Sequence, residues 1–235
     1  MTEQQPIYRG KAKSIFRSDN PDELIVSFRD DITAFDGAKK DELTDKGVYN
    51  ATVSAYLFGR LEEKGIATHF VRMEDERTMI VRPLTMIPVE VIVRNAAAGS
   101  LVRNYPFEEG QRLDPPVIVL DYKDDARHDP MINEEIIVAL GLMTAEEIDA
   151  VKTIALQVND LLRAEFGRIG LDLVDFKLEF GRHGDRILLG DEISMDSMRL
   201  WDMETHASMD KDVYRFDKGD VMATYATVAE RLTGA

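Results

Sequence analysis

The stretch Leu171 to Ile193, LDLVDFKLEFGRHGDRILLGDEI, constrains the fold most, because it prescribes its own pairing. From Leu173 to Phe180 apolar and charged residues alternate, and a period of two places Asp175, Lys177 and Glu179 on one face of a strand with Leu178 and Phe180 facing the core. The turn Gly181-Arg-His-Gly-Asp185 then closes an antiparallel hairpin, and Ile187 to Leu189 return toward Asp191 and Glu192. If the odd-numbered positions of both strands share a face, Asp191 joins the three charges. Carboxylates gathered around one lysine repel and raise each other's pKa unless something positive sits between them. Mg²⁺ would resolve that conflict, since it takes one or two carboxylates, keeps waters and binds substrate phosphates. A solvated Asp/Lys/Glu ladder also accounts for the pattern, and the hairpin alone favours that plainer account.

The chain's 235 residues, 44% of them hydrophobic, suffice for one large domain or two small ones. The absence of Cys excludes disulfides and thiolate chemistry. No apolar run is long enough to cross a bilayer and MTEQQPIYRG has no signal-peptide core, so a cytoplasmic location is expected, with no membrane partner. With 29 Lys and Arg against 44 Asp and Glu the formal charge is −15, which argues against a nucleic-acid partner. Local basic clusters at Lys11/Lys13, Arg94/Arg103 and Arg199/Arg215 must therefore answer to particular anions.

The opening predicts a small antiparallel sheet from Ile7 to Arg9, Ala12 to Arg17 and Leu24 to Arg29. Gly10-Lys-Ala-Lys13 stands at a strand entry, with both lysines on one side; either a polyphosphate site or surface lysines at a turn would produce it. Asp30 to Gly37 shows no period and reads as a loop. Thr44 or Asp45 is placed to cap a helix running to about Lys64, ended by Gly65. Strand-like runs follow at Thr68 to Met73, Met79 to Val81 and Val89 to Arg94. Val81 to Met86 reads as a connector, which divides the chain into residues 1–83 and 84–235. Asn95 to Ser100, behind Arg94, is either a phosphate cup or a tight packing turn. Tyr105 to Pro130 reads as a long lid or binding excursion carrying possible ligand contacts at Asp121, Lys123, His128 and Asp129. A short helix at Asn133 to Leu140, a long one opened by the capping box Thr144-Ala-Glu-Glu147, and a final helix from Val221 to Leu232 complete the reading.

Taken together, the motifs resemble the SAICAR synthetase family over essentially the whole length. Pro88-Val-Glu90-Val-Ile-Val-Arg94 with Gly99-Ser100, and Asp175-Phe-Lys177-Leu-Glu179-Phe-Gly181, are similar to its two principal segments. Gly10-Lys-Ala-Lys13, Ala34-Phe35-Asp36, Asp191-Glu-Ile-Ser194 and Arg199-Leu-Trp-Asp202 follow in the family's order. Thr33 and Met195 stand where the family commonly has Ser and Pro, and Tyr214-Arg215-Phe216 is not its commonest wording.

The resemblance implies an α+β fold in which a small antiparallel-sheet nucleotide lobe, resembling a kinase N-lobe, meets a larger α+β domain with ATP between them. It implies an ATP-dependent ligase that joins L-aspartate to carboxyaminoimidazole ribonucleotide through an acyl phosphate, as a homo-oligomer with a dimer favoured. Lys11, Ala12 and Lys13 would lie at the ATP phosphates, Leu84 and Met86 at the adenine, and Lys123 near the nucleotide. Glu179 and Asp191 would hold Mg²⁺. Arg94, Ser100 and Arg199 would hold the ribonucleotide phosphate, with Asp196, Arg215, Asp36 and Asp129 as further substrate contacts. Asp175 and Lys177 would face the sugar or the reacting carboxylate as the catalytic pair. A small-molecule kinase and a non-catalytic nucleotide sensor are the competing readings; only the ligase requires both ribonucleotide and L-aspartate for ATP turnover.

Overall fold

The computed structural model describes residues 5–35 and 37–234. The first sheet contains β1 (Tyr8–Arg9), β2 (Lys13–Arg17), β3 (Leu24–Phe28), β6 (Phe70–Asp75) and β7 (Thr78–Val81), ordered β1-β2-β3-β7-β6 and antiparallel throughout. The second is built on β8 (Thr85–Ala96), β9 (Arg112–Tyr122), β10 (Leu171–His183) and β11 (Arg186–Gly190), ordered β11-β10-β8-β9, with β12 (Met198–Asp202) pairing the start of β10. The predicted hairpin is therefore present, with a longer first strand and a tighter turn at Gly184-Asp185.

Two expectations about strands are corrected. Asp30 to Gly37 is not a plain loop: β4 (Asp31–Ala34) pairs β5 (Lys39–Glu42) as a separate two-stranded ribbon. The long excursion after Tyr105 is in large part β9, which runs antiparallel to β8 from Val89↔Tyr122 to Arg94↔Val117. Its Pro115-Pro116 pair concealed it, yet β9 lies at the sheet's edge, where a residue without an N–H is tolerated.

The four helices that the sequence predicted are present, and two short ones, α2 (Ser100–Asn104) and α5 (Asp212–Arg215), were not expected. α1 (Lys46–Glu63) packs on β3, β6 and β7 and also on α4 (Ala145–Arg168) and α6 (Val221–Thr233). Its expected cap is absent: Asp45 is left-handed and makes no capping bond, while Asp30 Oδ1 accepts from the Gly47 amide at 2.9 Å and satisfies that end from a distance. α2 (Ser100–Asn104), α3 (Glu134–Ala139) and α5 (Asp212–Arg215) are short. α4 has the predicted box, with Thr144 and Glu147 exchanging both bonds. Its stripe of Ile148, Val151, Ala155, Val158, Leu162 and Phe166 is buried, packing α4 on β10 and β8. Each such side chain contributes roughly 1.5–3 kcal/mol of burial, so truncating Leu162 to Ala would cost about 2–5 kcal/mol. α4 and the core thereby fix one face of β10, leaving the other to carry charge. One hydrophobic core runs through both sheets.

Candidate functional site

On the open face of the second sheet, strand register arranges the charges in rows. Asp121, Glu90 and Glu179 are cross-strand neighbours on β9, β8 and β10. Two residues along, Lys177 stands opposite Ile92 and Val119; two further, Arg94, Asp175 and Arg199 form a row across β8, β10 and β12. Side chains two apart on a strand share a face, so an acidic row and a guanidinium row flank a central lysine. Asp191, just beyond β11, closes the acidic end.

Three ammonium groups serve those acids. Lys177 contacts Glu179 and lies 3.5 Å from both Glu90 and Asp191. Lys123 contacts Glu179 and lies 3.6 Å from Glu90, and Lys13 reaches Asp191 at 2.5 Å and Glu192 at 3.0 Å. Burial alone would lower Lys177, but Glu179, Asp191 and Glu90 hold it well above its ordinary value; Lys13 is likewise raised by Asp191 and Glu192 against its burial. Burial would raise Asp191, yet Lys13 and Lys177 hold it far below the usual carboxylate range. Lys13, Lys177 and Asp191 are therefore ionised together at neutral pH.

At the other end, Arg94 donates to Asp175 at 2.7 Å and to Ser100 Oγ at 2.8 Å. Arg199 donates to Asp175 at 2.9 Å and, through Nε, to Asp212 at 3.1 Å, and Asp212 also contacts Arg215. Gly99 has φ +58, and a Cβ there would lie 2.6 Å from Arg199 Nη2. The small-residue loop thus lets the guanidinium lie against the backbone, as an anion cup requires.

The structure brings together Lys13, Lys123, Lys177, Glu179 and Asp191, and separately Arg94, Ser100, Asp175, Arg199 and Arg215. Lys11 is exposed and pairs Asp125 at 3.0 Å, linking the first turn to the segment after β9. Ala12 accepts from the Arg29 amide through its carbonyl at 2.7 Å. Leu84 and Met86 pack over Gly181 and Gly190; a Cβ at Gly181 would meet Leu84 Cβ at 2.8 Å. Asp129 accepts from the Asp124 amide at 2.8 Å. Asp196 lies apart from both rows, buried with Lys46 at 2.7 Å and Tyr225 at 2.7 Å. Asp36 lies outside the described residues.

The sequence reading gave four contributors no role in the site. Arg29 gathers the carbonyls of Gly10, Lys11 and Lys13 and so shapes the lysine turn. Asp212 orients two arginines, Glu192 pairs Lys13, and Glu90 completes the acidic row. Only Glu90 carried a usable signal: it keeps the even parity of Arg94 on β8.

Among the described residues no three His, Asp or Glu side chains converge as a ready metal cage. Glu179 and Asp191 do both reach the Lys177 ammonium, and two carboxylates that share one ammonium suit a hard cation completed by water and phosphate oxygens.

The SAICAR synthetase family model matches residues 6–232. A phosphoribosylaminoimidazole-succinocarboxamide synthase of Methanoregula boonei is 64% identical over 233 residues, covering 99% of this chain and 91% of that protein. Its counterpart in Methanocaldococcus jannaschii is 54% identical, covering 97% and 94%. Among solved structures, a SAICAR synthetase in complex with ADP superposes with a TM-score of 0.94 at 48% identity, covering 97% of each chain. A phosphoribosylaminoimidazole-succinocarboxamide synthase from Ehrlichia chaffeensis gives 0.96 at 40% identity, covering 98% of this chain and 99% of that one. With a family model spanning nearly its whole length and relatives this similar, the chain belongs to the SAICAR synthetase family, ligases of purine biosynthesis.

Proposed function

We propose that this chain joins L-aspartate to carboxyaminoimidazole ribonucleotide at the expense of ATP, releasing SAICAR, ADP and phosphate. One observation carries the reading: a guanidinium row and an acidic, lysine-bridged row lie on one sheet face with Lys177 between them. The first row suits a ribonucleotide's phosphate, held by Arg94, Ser100 and Arg199 with Arg215 alongside. Asp175 holds Arg94 and Arg199 in register and faces the sugar. The second row lies beside Lys13, where the ATP tail would enter with Lys11 and Ala12. That a 48% identical relative was solved in complex with ADP supports nucleotide binding by this chain; we read Leu84 and Met86 as the residues nearest the adenine.

A carboxylate is a poor acyl donor. In the proposed sequence one of its oxygens attacks the γ-phosphorus of ATP, ADP leaves, the aspartate amine attacks the resulting acyl carbon, and phosphate departs. Lys177 and Lys123 present fixed positive charge to the transferring group, and Lys177 bridges it to the substrate carboxylate. Glu179 and Asp191 would hold Mg²⁺, which supplies further charge neutralisation when bound. We also read residues 1–83 as the nucleotide lobe, 84–235 as the larger domain, Asp36, Asp129 and Asp196 as further substrate-site residues, and the enzyme as a cytoplasmic homo-oligomer. Exposed Met131, Ile136, Val138 and Leu140 support self-association.

The test is substrate dependence. Phosphate release from ATP should require ribonucleotide and L-aspartate together, with one amide formed per phosphate. Turnover with the ribonucleotide alone would indicate a kinase, and ATP binding without turnover a sensor.

A further inference from the structure

Asp121 has a place in the acidic row and no partner there. Glu90 and Glu179 share Lys123 and Lys177, and Asp191 has Lys13. Asp121 stands opposite Glu90 on β9, partly buried, and its carboxylate makes no hydrogen bond or ion pair among the described residues. The groups around it are Glu90 and Arg94 on β8, Asp129 after β9, and Lys123, whose ammonium goes to Glu179 and Glu90. Burial pushes its carboxyl up to about 6, Glu90 and Asp129 add to that, and Arg94 opposes it. A half-buried acceptor with no donor costs free energy unless something brings one.

The sheet says where that donor comes from. Val117 lies opposite Arg94 and Asp121 lies opposite Glu90, so Asp121 is four residues, roughly 13 Å, along β9 from the guanidinium row. That is the length scale of a ribonucleotide anchored by its phosphate, with the far end of its ring over the acidic row. The ring's carboxylate cannot face Asp121 without repulsion. Once one ring nitrogen carries the ribose, neither ring nitrogen bears a hydrogen, so the exocyclic amine beside that carboxylate is the ring's sole N–H donor.

We propose that Asp121 is a substrate-recognition residue that accepts a hydrogen bond from the exocyclic amine of the aminoimidazole ribonucleotide. The bond turns the adjacent carboxylate toward Lys177. It also favours donation of the amine's lone pair into the ring, which makes the carboxylate a better nucleophile toward phosphorus. This inference rests on the ligase reading and adds a determinant of ring specificity to it.

The experiment uses the full-length protein with Asp121→Asn and Asp121→Ala, the second variant guarding against misfolding of the first. KM for the ribonucleotide should rise about tenfold or more, with KM for ATP and for L-aspartate within about twofold of wild type and a Tm no lower than wild type, since either change removes a half-buried charge beside Glu90. A ribonucleotide carboxylate lacking the amine should bind the unaltered protein about tenfold more weakly, and that penalty should vanish in Asp121→Ala. A ribonucleotide KM that moves less than twofold, an amine penalty that persists in the variant, or a change centred on L-aspartate would each overturn the assignment. Failure of the unaltered protein to form the amide would instead remove the ligase reading, which the substrate-dependence assay reads separately.

Discussion

Replacing Lys177 with Met tests the central electrostatic argument. The ammonium contacts Glu179 and stands 3.5 Å from Glu90 and Asp191. At an effective dielectric of about 20, each 3.5 Å contact is a gross attraction of about 4–5 kcal/mol, largely offset by desolvation. The net effect on folding is small, because the remaining lysines still pair every acid: Lys123 keeps Glu179 and Glu90, and Lys13 keeps Asp191. A stability loss of about 1.5–3 kcal/mol follows, or roughly 5 °C in Tm for a chain of this size. The effect on chemistry is larger. Losing one preorganised donor aimed at developing charge costs about 2.7–4 kcal/mol of barrier, so kcat should fall on the order of 100- to 1000-fold while ADP affinity, which the proposed function assigns to the Lys11-Lys13 turn, stays within severalfold. Lys177→Arg should recover only part of the rate, since a planar fork does not reproduce a compact ammonium. Phosphate release, single-turnover chemistry and ADP titration together decide the matter. A Lys177→Met protein that folds and turns over within tenfold of wild type would refute the bridging role.

Other predictions follow from the same geometry. Burial holds the His69 imidazole down to about 3, so between pH 6.5 and 3 the folded state binds fewer protons than the unfolded one. Its stability contribution is complete above about pH 6.5 and lost on acidification; because the raised carboxyls of Asp121 and Asp210 shift stability the opposite way, the readout is the difference between proteins, and on going from pH 7 to pH 5 wild type should lose about 2 kcal/mol more than His69→Gln in denaturation. Lys46→Met strands Asp196 in a site where the two side chains are 0% and 7% exposed, so it should cost about 3–5 kcal/mol and lower Tm by roughly 10 °C in a thermal scan. Asp212→Asn loosens Arg199 and Arg215 together, and steady-state kinetics should show KM for the ribonucleotide rising about fivefold with KM for ATP unchanged.

The hairpin was legible because its charges break the apolar run of a buried strand at a period of two, which no helix reproduces. α4 was legible for a local reason as well: a capping box followed by an unbroken apolar stripe. What could not be read was register. Glu90 and Asp121 become neighbours of Glu179 only after three strands, far apart in sequence, align, and no local pattern encodes that alignment. β9 was hidden by prolines that an edge position tolerates, and β4 by its length: Ile32 and Ala34 do alternate as a buried face, but over only four residues and against a β5 with no buried residue. The burial of Asp196 was not legible either, because its partners Lys46 and Tyr225 come from α1 and α6 rather than from its own segment.

The rows on the second sheet carry a consequence for how such a chain can change over time. Substitution at any one charged position leaves the others in place, but deletion of a single residue between Val174 and Phe180 would invert the strand, sending Lys177 and its neighbours into the packed interior and the apolar side chains out to water. Removing two residues would keep each side's character and shift only spacing. Odd changes of length in this strand are thus forbidden by parity before chemistry is consulted, and single-residue growth is confined to the connections between strands.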